Sequence, residues 1–226
     1  MRVLVVNPVG HDRWDYSDKK IYESYASEGT EVDVVSLPRG PESVETAEAY
    51  AEVEPLIIEL VKGIHAGYDA VIVNCFLDPG VAKLRKILNN KVVVGPCEAS
   101  LSLARNLSDK VAVVTVGGDV ETLGLIKERI KSLGFENVVV GVKGISLRVI
   151  ELDRDREVTL RHLVNEAAKA VSEGADVIVL GCSGLIGLSE ELSEVLGVPV
   201  VDPTLVTVGL AEAMIKLGLR HYSYEP

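Results

Sequence analysis

Short runs of Val, Ile and Leu alternate along the chain with longer stretches whose apolar residues recur every three or four positions. Continuous apolar runs mark parallel strands buried on both faces, and the stretches between them supply the helices that bury them. The pattern predicts strands over 2–7, 31–36, 70–75, 91–95, 110–115, 137–142, 176–181 and 198–201. It predicts helices from Asp78 or Pro79 to Leu88, from Glu98 to Leu107, near Leu188 to Leu196, and from Leu205 to Leu217. In the last of these Leu205, Val208, Leu210, Met214 and Leu217 fall at helical spacing.

Four strands followed by four suggest two halves, and the residues repeat as well. Gly67-Tyr68-Asp69-Ala70-Val71-Ile72-Val73-Asn74-Cys75 lies without a gap over Gly174-Ala175-Asp176-Val177-Ile178-Val179-Leu180-Gly181-Cys182, at an offset of 107 residues that brings the two cysteines together. The same offset places Val92-Val93-Val94-Gly95-Pro96 on Pro199-Val200-Val201-Asp202-Pro203. An offset of 108 places Arg2-Val3-Leu4-Val5-Val6-Asn7 on Lys110-Val111-Ala112-Val113-Val114-Thr115, and Gly10 on Gly118. A match of this kind reads as a duplicated α/β unit.

The expected fold is therefore α/β: two pseudo-symmetric three-layer αβα domains, each with a four-stranded parallel sheet, and an active site in the cleft between them. The first domain is expected over 1–97 plus 206–226 and the second over 98–205. Ligands of open parallel sheets bind outside the carboxyl ends of the strands. Asn7, Cys75, Gly95, Thr115, Cys182 and Asp202 all fall at such ends. If the halves face each other, one cleft carries a thiol on each wall.

Composition narrows the partners. The chain has 226 residues, 47% of them apolar, enough for a sizeable core. Its 23 Lys and Arg stand against 34 Asp and Glu, a formal net charge of −11, with no basic cluster denser than Lys19-Lys20 or Arg154 and Arg156. Nucleic acids and anionic membrane surfaces need a basic footprint, so the expected partner is a small molecule, with no nucleic acid and no membrane. No run reaches the length of a membrane span and the first strand stops at Asn7-Pro8 without a signal-peptide core, so a cytoplasmic protein is expected. Three cysteines without a C-x-x-C pair and four scattered histidines make neither a zinc site nor a disulfide framework, so no metal is expected. The absence of Gln, with only two Met, fits a heat-adapted source. An apolar-rich chain of repeated halves is expected to form a homo-oligomer.

Paired thiols on opposite walls suit a two-base proton transfer, in which one thiolate removes a proton from a stereocentre and the other thiol returns one to the opposite face. The outcome is racemisation or epimerisation. A helix N-terminus after each cysteine is expected to lower the thiol pKa. The backbone N–H groups of 76–80 and 183–187 are placed to stabilise an enolate. A lone strand-end cysteine is more often a buried small hydrophobe, and it is the repeat that turns Cys75 and Cys182 toward chemistry. Cys97 has Thr204 at the matching offset and reads as a packing residue. Asn7 and Thr115 either bind a substrate carbonyl or end their strands for backbone reasons. Asp78 either orients a thiol or caps a helix, and Asp202 either steadies the Cys182 loop or meets ligand. Gly117-Gly118-Asp119 reads as a turn, and His11 as a solvated loop residue.

Five motifs in order, Cys75-Phe76-Leu77-Asp78-Pro79-Gly80, Gly95-Pro96-Cys97-Glu98-Ala99, Val113-Val114-Thr115, Leu180-Gly181-Cys182-Ser183-Gly184 and Val198-Pro199-Val200-Val201-Asp202, resemble the hydantoin racemase branch of the aspartate/glutamate racemase superfamily. The resemblance spans nearly the whole chain. It implies a cofactor-independent racemase acting on 5-monosubstituted hydantoins or allantoin, with Cys75 and Cys182 as the acid/base pair. It further implies that Asn7, Thr115 and the backbone after each cysteine hold the ring; with Asp78 and Asp202 added from their own positions, the expected substrate-binding residues are Asn7, Phe76, Leu77, Asp78, Thr115, Ser183, Gly184 and Asp202. Amino-acid racemase branches follow their first cysteine with Asn-Thr and their second with Thr, where this chain has Phe76-Leu77 and Ser183-Gly184. The chain departs from the hydantoin pattern at Val9-Gly10, at Leu77, where Gly is usual, at Pro96-Cys97 and at Pro203. The alternatives are an aspartate/glutamate-type amino-acid racemase, a related decarboxylase or cis–trans isomerase, a non-catalytic ligand-binding protein, and a redox dithiol.

Overall fold

The computed structural model describes residues 1–221, and its strands form two separate four-stranded sheets, parallel throughout. The first contains β1 (Arg2–Asn7), β2 (Glu31–Ser36), β3 (Ala70–Val73) and β4 (Val92–Val94) in the order β2-β1-β3-β4. The second contains β5 (Val111–Thr115), β6 (Val139–Gly144), β7 (Val177–Leu180) and β8 (Val200–Val201) in the order β6-β5-β7-β8. The spatial order is the same in both, as the repeat requires. Asn7 pairs with Ser36 at the end of the β1–β2 ladder and Thr115 with Gly144 at the end of β5–β6. The central strands β1, β3, β5 and β7 are apolar at almost every position because helices cover both their faces.

The helices are α1 (Asp15–Tyr25), α2 (Ala47–Ile64), α3 (Val81–Ile87), α4 (Pro96–Arg105), α5 (Val120–Ser132), α6 (Arg156–Ser172), α7 (Ser189–Leu196) and α8 (Pro203–Lys216). Val53, Ile57 and Val61 of α2 and Val81 and Leu84 of α3 pack with Leu4, Val6, Val71, Val73 and Val93 in the first core. In the second core Leu163, Ala167 and Ala170 of α6 and Leu192 of α7 pack with Ala112, Val114, Ile178 and Leu180. Among the described residues no helix is long and apolar enough to cross a membrane.

By its contacts the chain divides into two compact units, one of residues 1–44, 48–96 and those from 207 on, the other of residues 45–47 and 97–206. Residues 45–47, expected with the first half, therefore group with the second. Residues 222–226, assigned to the first half from sequence, lie outside the described residues. In the first unit Glu212 of α8 accepts hydrogen bonds from Ser27 N–H at 2.8 Å and Thr30 Oγ1 at 2.6 Å.

The helix starts differ from expectation in an instructive way. Both α4 and α8 begin two residues early, at Pro96 and Pro203, because proline suits the first helical position, where its missing N–H is no loss. The helix after Cys75 begins late, at Val81, and Pro79 lies outside it. Asp78 and Gly80 hold positive φ angles of 50° and 74°, so a tight turn occupies the residues where the helix was expected to begin.

Candidate active site

In the first unit β3 ends at Val73 and the chain turns at once. Cys75 N–H donates to Val73 O at 2.8 Å and Asp78 N–H to Cys75 O at 2.9 Å, closing a turn over 75–78. Cys75 is 9% exposed, and Phe76 and Leu77 are buried beside it. Among the described residues the Phe76 and Leu77 amides donate to no acceptor within the chain. Asp78 is 2% exposed and packs against Gly95, where an added Cβ would stand 2.5 Å from its carboxyl carbon. Gly95 is thus required by the close approach of a carboxylate at the end of β4.

Asn7, at the end of β1, is buried in a polar network. Its Nδ2 donates to Asp15 at 2.9 Å and to Asp18 at 3.0 Å, and its Oδ1 accepts from Asn74 Nδ2 at 2.8 Å. Tyr22 Oη donates to Asn74 Oδ1 at 3.2 Å. Asn7 and Asn74 together therefore anchor the strand end that leads into Cys75. His11 lies edge-on to Trp14 with ring centroids 4.6 Å apart, and its Nε2 is 3.0 Å from Glu42 O.

In the second unit Thr115 ends β5 and donates its hydroxyl to Gly181 O at 2.8 Å. A Cβ on Gly181 would lie 2.6 Å from that of Thr115, so glycine is required there as well. Cys182 is 9% exposed and starts a single 3₁₀ turn, Ser183–Leu185, whose Gly184 N–H donates to Sγ at 3.4 Å. The next α-helix, α7, begins only at Ser189. Burial pushes the Cys182 thiol up to about 12; the Gly184 N–H opposes this, while the Glu45 and Asp153 carboxylates add to it. The lowered value expected from a helix start is not found: α7 begins too far along the chain, and desolvation outweighs the Gly184 and Leu185 amides.

Asp202 follows β8 and is 4% exposed. Its Oδ2 accepts from Gly187 N–H at 2.7 Å, and its Oδ1 from Thr204 N–H at 2.9 Å and Leu205 N–H at 3.3 Å. It caps α8 and ties down the Cys182 loop in one gesture, while burial raises its pKa. The expected enolate-binding amides of 184–187 are engaged inside the fold: Leu185 donates to Cys182 O, Ile186 to Ser183 O and Gly187 to Asp202. Ser183 O also accepts from Thr204 Oγ1 at 3.5 Å, and Gly184 is exposed.

Each unit thus gathers its own predicted residues at one strand-end edge: Asn7, Cys75, Phe76, Leu77 and Asp78 in the first, and Thr115, Cys182, Ser183, Gly184 and Asp202 in the second. None of the three cysteines is in a disulfide, and Cys97 is buried in the first turn of α4. Gly117-Gly118-Asp119 forms a turn in which Asp119 caps α5 by accepting from Thr122 N–H at 2.9 Å. Among the described residues no group of three or more His, Cys, Asp or Glu is arranged to hold a metal ion. In the second unit a buried carboxylate is unmarked in the sequence: Glu45, 8% exposed, whose Oε1 accepts from Val149 N–H at 3.2 Å. No motif or periodicity marks it, since its burial is purely tertiary.

Comparison with known proteins gives this geometry a context. Residues 18–211 match the family model described as Asp/Glu/Hydantoin racemase. A hydantoin racemase of Pseudomonas sp. (strain NS671) is 32% identical over 99% of this chain and 92% of its own length. The crystal structure of an allantoin racemase from Pseudomonas fluorescens superposes with a TM-score of 0.93 at 32% identity, covering 98% of this chain and 93% of that one. An allantoin racemase from Klebsiella pneumoniae superposes with a TM-score of 0.90 at 25% identity, covering 100% and 95%.

Proposed function

The chain belongs to the Asp/Glu/hydantoin racemase family and is an isomerase of that kind, and on that premise we propose that it racemises a 5-monosubstituted hydantoin or allantoin, with Cys75 and Cys182 as the proton-transfer groups. The observation that carries this reading is the pair of buried thiols, neither in a disulfide, at equivalent strand ends of two repeated units. Two thiols are what a carbon acid needs if it is to lose a proton from one face and gain one on the other.

The C5 proton of a hydantoin is flanked by a ring carbonyl, so its removal places charge on that oxygen as an enolate. Burial favours the protonated form of Cys182, the form a donor needs; one thiol abstracts from one enantiomer while the other donates, and for the mirror image the roles exchange. The Phe76 and Leu77 amides, which have no acceptor within the described chain, are the groups we assign to the developing enolate. Asn7 and Thr115 act on this reading by holding the strand ends: Asn7 through Asn74, and Thr115 through the Gly181 carbonyl. Asp78 and Asp202 fix the loops that carry the two sulfurs.

The test is a panel of single-enantiomer hydantoins, allantoin included, incubated with the protein in deuterated buffer. The expected result is loss of optical rotation with deuterium entering at C5 for at least one member. No rotation change and no deuterium across the panel would overturn the reading.

A further inference from the structure

Glu45 is a buried carboxylate on a loop far in sequence from every motif above, and its contacts converge on the neighbourhood of Cys182. Its Oε1 accepts from Val149 N–H at 3.2 Å, and its Oε2 lies 3.7 Å from an Arg148 guanidinium nitrogen. Its backbone carbonyl accepts from Thr122 Oγ1 at 3.2 Å, which fixes the residue against α5. The segment it grips is a 3₁₀ turn, Val149–Glu151, followed by Leu152. That segment lies over the cysteine loop: a Cβ built on Gly184 would meet Leu152 Cδ1 at 3.0 Å, Cys182 Sγ at 3.5 Å and Val149 Cγ1 at 3.9 Å. Leu152 and Cys182 belong to the same buried cluster.

We propose that Glu45 is a positioning residue for Cys182, its carboxylate fastening the 148–152 turn against the loop that carries the thiol. The proposal deepens the racemase reading and rests on it for its purpose, though its geometry stands independently. One side chain sets both the wall beside the sulfur and a negative charge close to it. The charged groups that bear on the thiol are Glu45 and Asp153, both of which favour its protonated form, with Arg148 held to Glu45. Arg148 is well exposed, so water screens its charge more than it screens that of the buried carboxylate. A donor thiol held protonated in this way is ready to deliver its proton.

The test uses the full chain and two variants. Glu45→Gln removes the charge but keeps an oxygen for the Val149 N–H, whereas Glu45→Ala removes both. Two quantities are read without turnover: the rate of Cys182 alkylation by iodoacetamide from pH 7 to 10, resolved at the Cys182 peptide by mass spectrometry, and amide exchange at Val149. In Glu45→Gln the alkylation rate is expected to rise about fivefold, as the thiolate fraction grows once the neighbouring negative charge is gone, with Val149 exchange unchanged. In Glu45→Ala both are expected to rise. A Glu45→Gln profile that superposes on wild type, or unchanged Val149 exchange in Glu45→Ala, would overturn the proposal. Should Glu45→Ala fail to fold, Glu45→Gln alone decides between these outcomes. Failure of the racemase reading would be seen separately, as absent C5 exchange by the wild-type protein.

Discussion

The loops after Cys75 and Cys182 solve the same problem with the carboxylate on opposite sides of one junction. In the first unit the carboxylate is Asp78, inside the cysteine loop, and the following strand ends in Gly95, which makes room for it. In the second unit the residue matching Gly95 is Asp202, which reaches back to the N–H of Gly187, the match of Gly80. Both Gly80 and Gly187 hold positive φ, 74° and 78°, so the turn itself is kept while the group that fastens it has changed sides. The strand ends show the same exchange. Asn7 and Asn74 join through their side chains, whereas Thr115 reaches the backbone of Gly181, the residue that matches Asn74. A duplicated scaffold has conserved the position of the sulfur and let its supports diverge.

That difference has a chemical consequence. The second loop ties its amides to its own carbonyls and to Asp202, and leaves the Cys182 thiol, met by the Gly184 and Leu185 amides, desolvated. The first loop leaves the Phe76 and Leu77 amides to donate outside the described chain. The two thiols are thus equivalent in topology but unlike in surroundings, and the first loop is the one suited to receive a developing anion.

Removing either sulfur is the strongest test of the topological equivalence. Cys75→Ala and Cys182→Ala are each expected to lower racemisation about 10³-fold, the usual worth of a proton-transfer group, as followed by polarimetry. If either variant kept more than a tenth of the activity, the pair would not be a pair. Next in size are the two glycines that admit the unlike supports. Gly95→Ala drives a Cβ into the Asp78 carboxyl and Gly181→Ala drives one into Thr115 and Val113. Each is expected to cost about 3 kcal/mol by urea unfolding. A cost below about 1 kcal/mol at either site would mean that the close approach is easily relieved.

Asp202→Ala strips a cap from α8 and an anchor from the Cys182 loop, and is expected to cost about 1.5 kcal/mol and to speed amide exchange at Gly187. Leu77 aligns with Gly184, and Leu77→Gly restores to the first loop the residue of the second. The expected result is a change of about tenfold in kcat/KM for hydantoins with bulky relative to small side chains, measured as a ratio so that lost stability cancels. The smallest effect is in pH. Burial raises the Asp202 pKa in the folded state, so the stability linked to its proton is present below the ordinary carboxylate range and lost as pH rises through the folded value. The stability of wild type relative to Asp202→Asn is therefore expected to increase as pH falls through that window, and a flat difference would count against the buried carboxylate.

Most of the architecture was legible because apolar runs and a gap-free repeat report burial and duplication directly. The strands after Gly67 and Gly174 align without a gap, apolar position on apolar position, and both lie at the centre of their sheets. What sequence could not convey is what happens between a strand end and the next helix. Asp78-Pro79-Gly80 has the composition of a helix start, yet Asp78 adopts a left-handed turn that serves its contact with Gly95. At Cys182 the expected fall in thiol pKa failed because α7 begins only at Ser189 and burial strips the thiol of solvent. Glu45 was invisible because nothing local distinguishes a buried loop carboxylate from a solvated one.

The central claim is that each thiol serves one face of the reacting carbon. It is tested most directly by following C5 deuterium incorporation in Cys75→Ala and Cys182→Ala with the two enantiomers of one hydantoin supplied separately. With one thiol left, a proton can be removed and solvent deuterium returned on the same face only. Each variant is predicted to exchange a single enantiomer with retention of configuration, and the two variants opposite ones. Exchange of the same enantiomer by both variants, or inversion at near wild-type rate in either, would contradict the account.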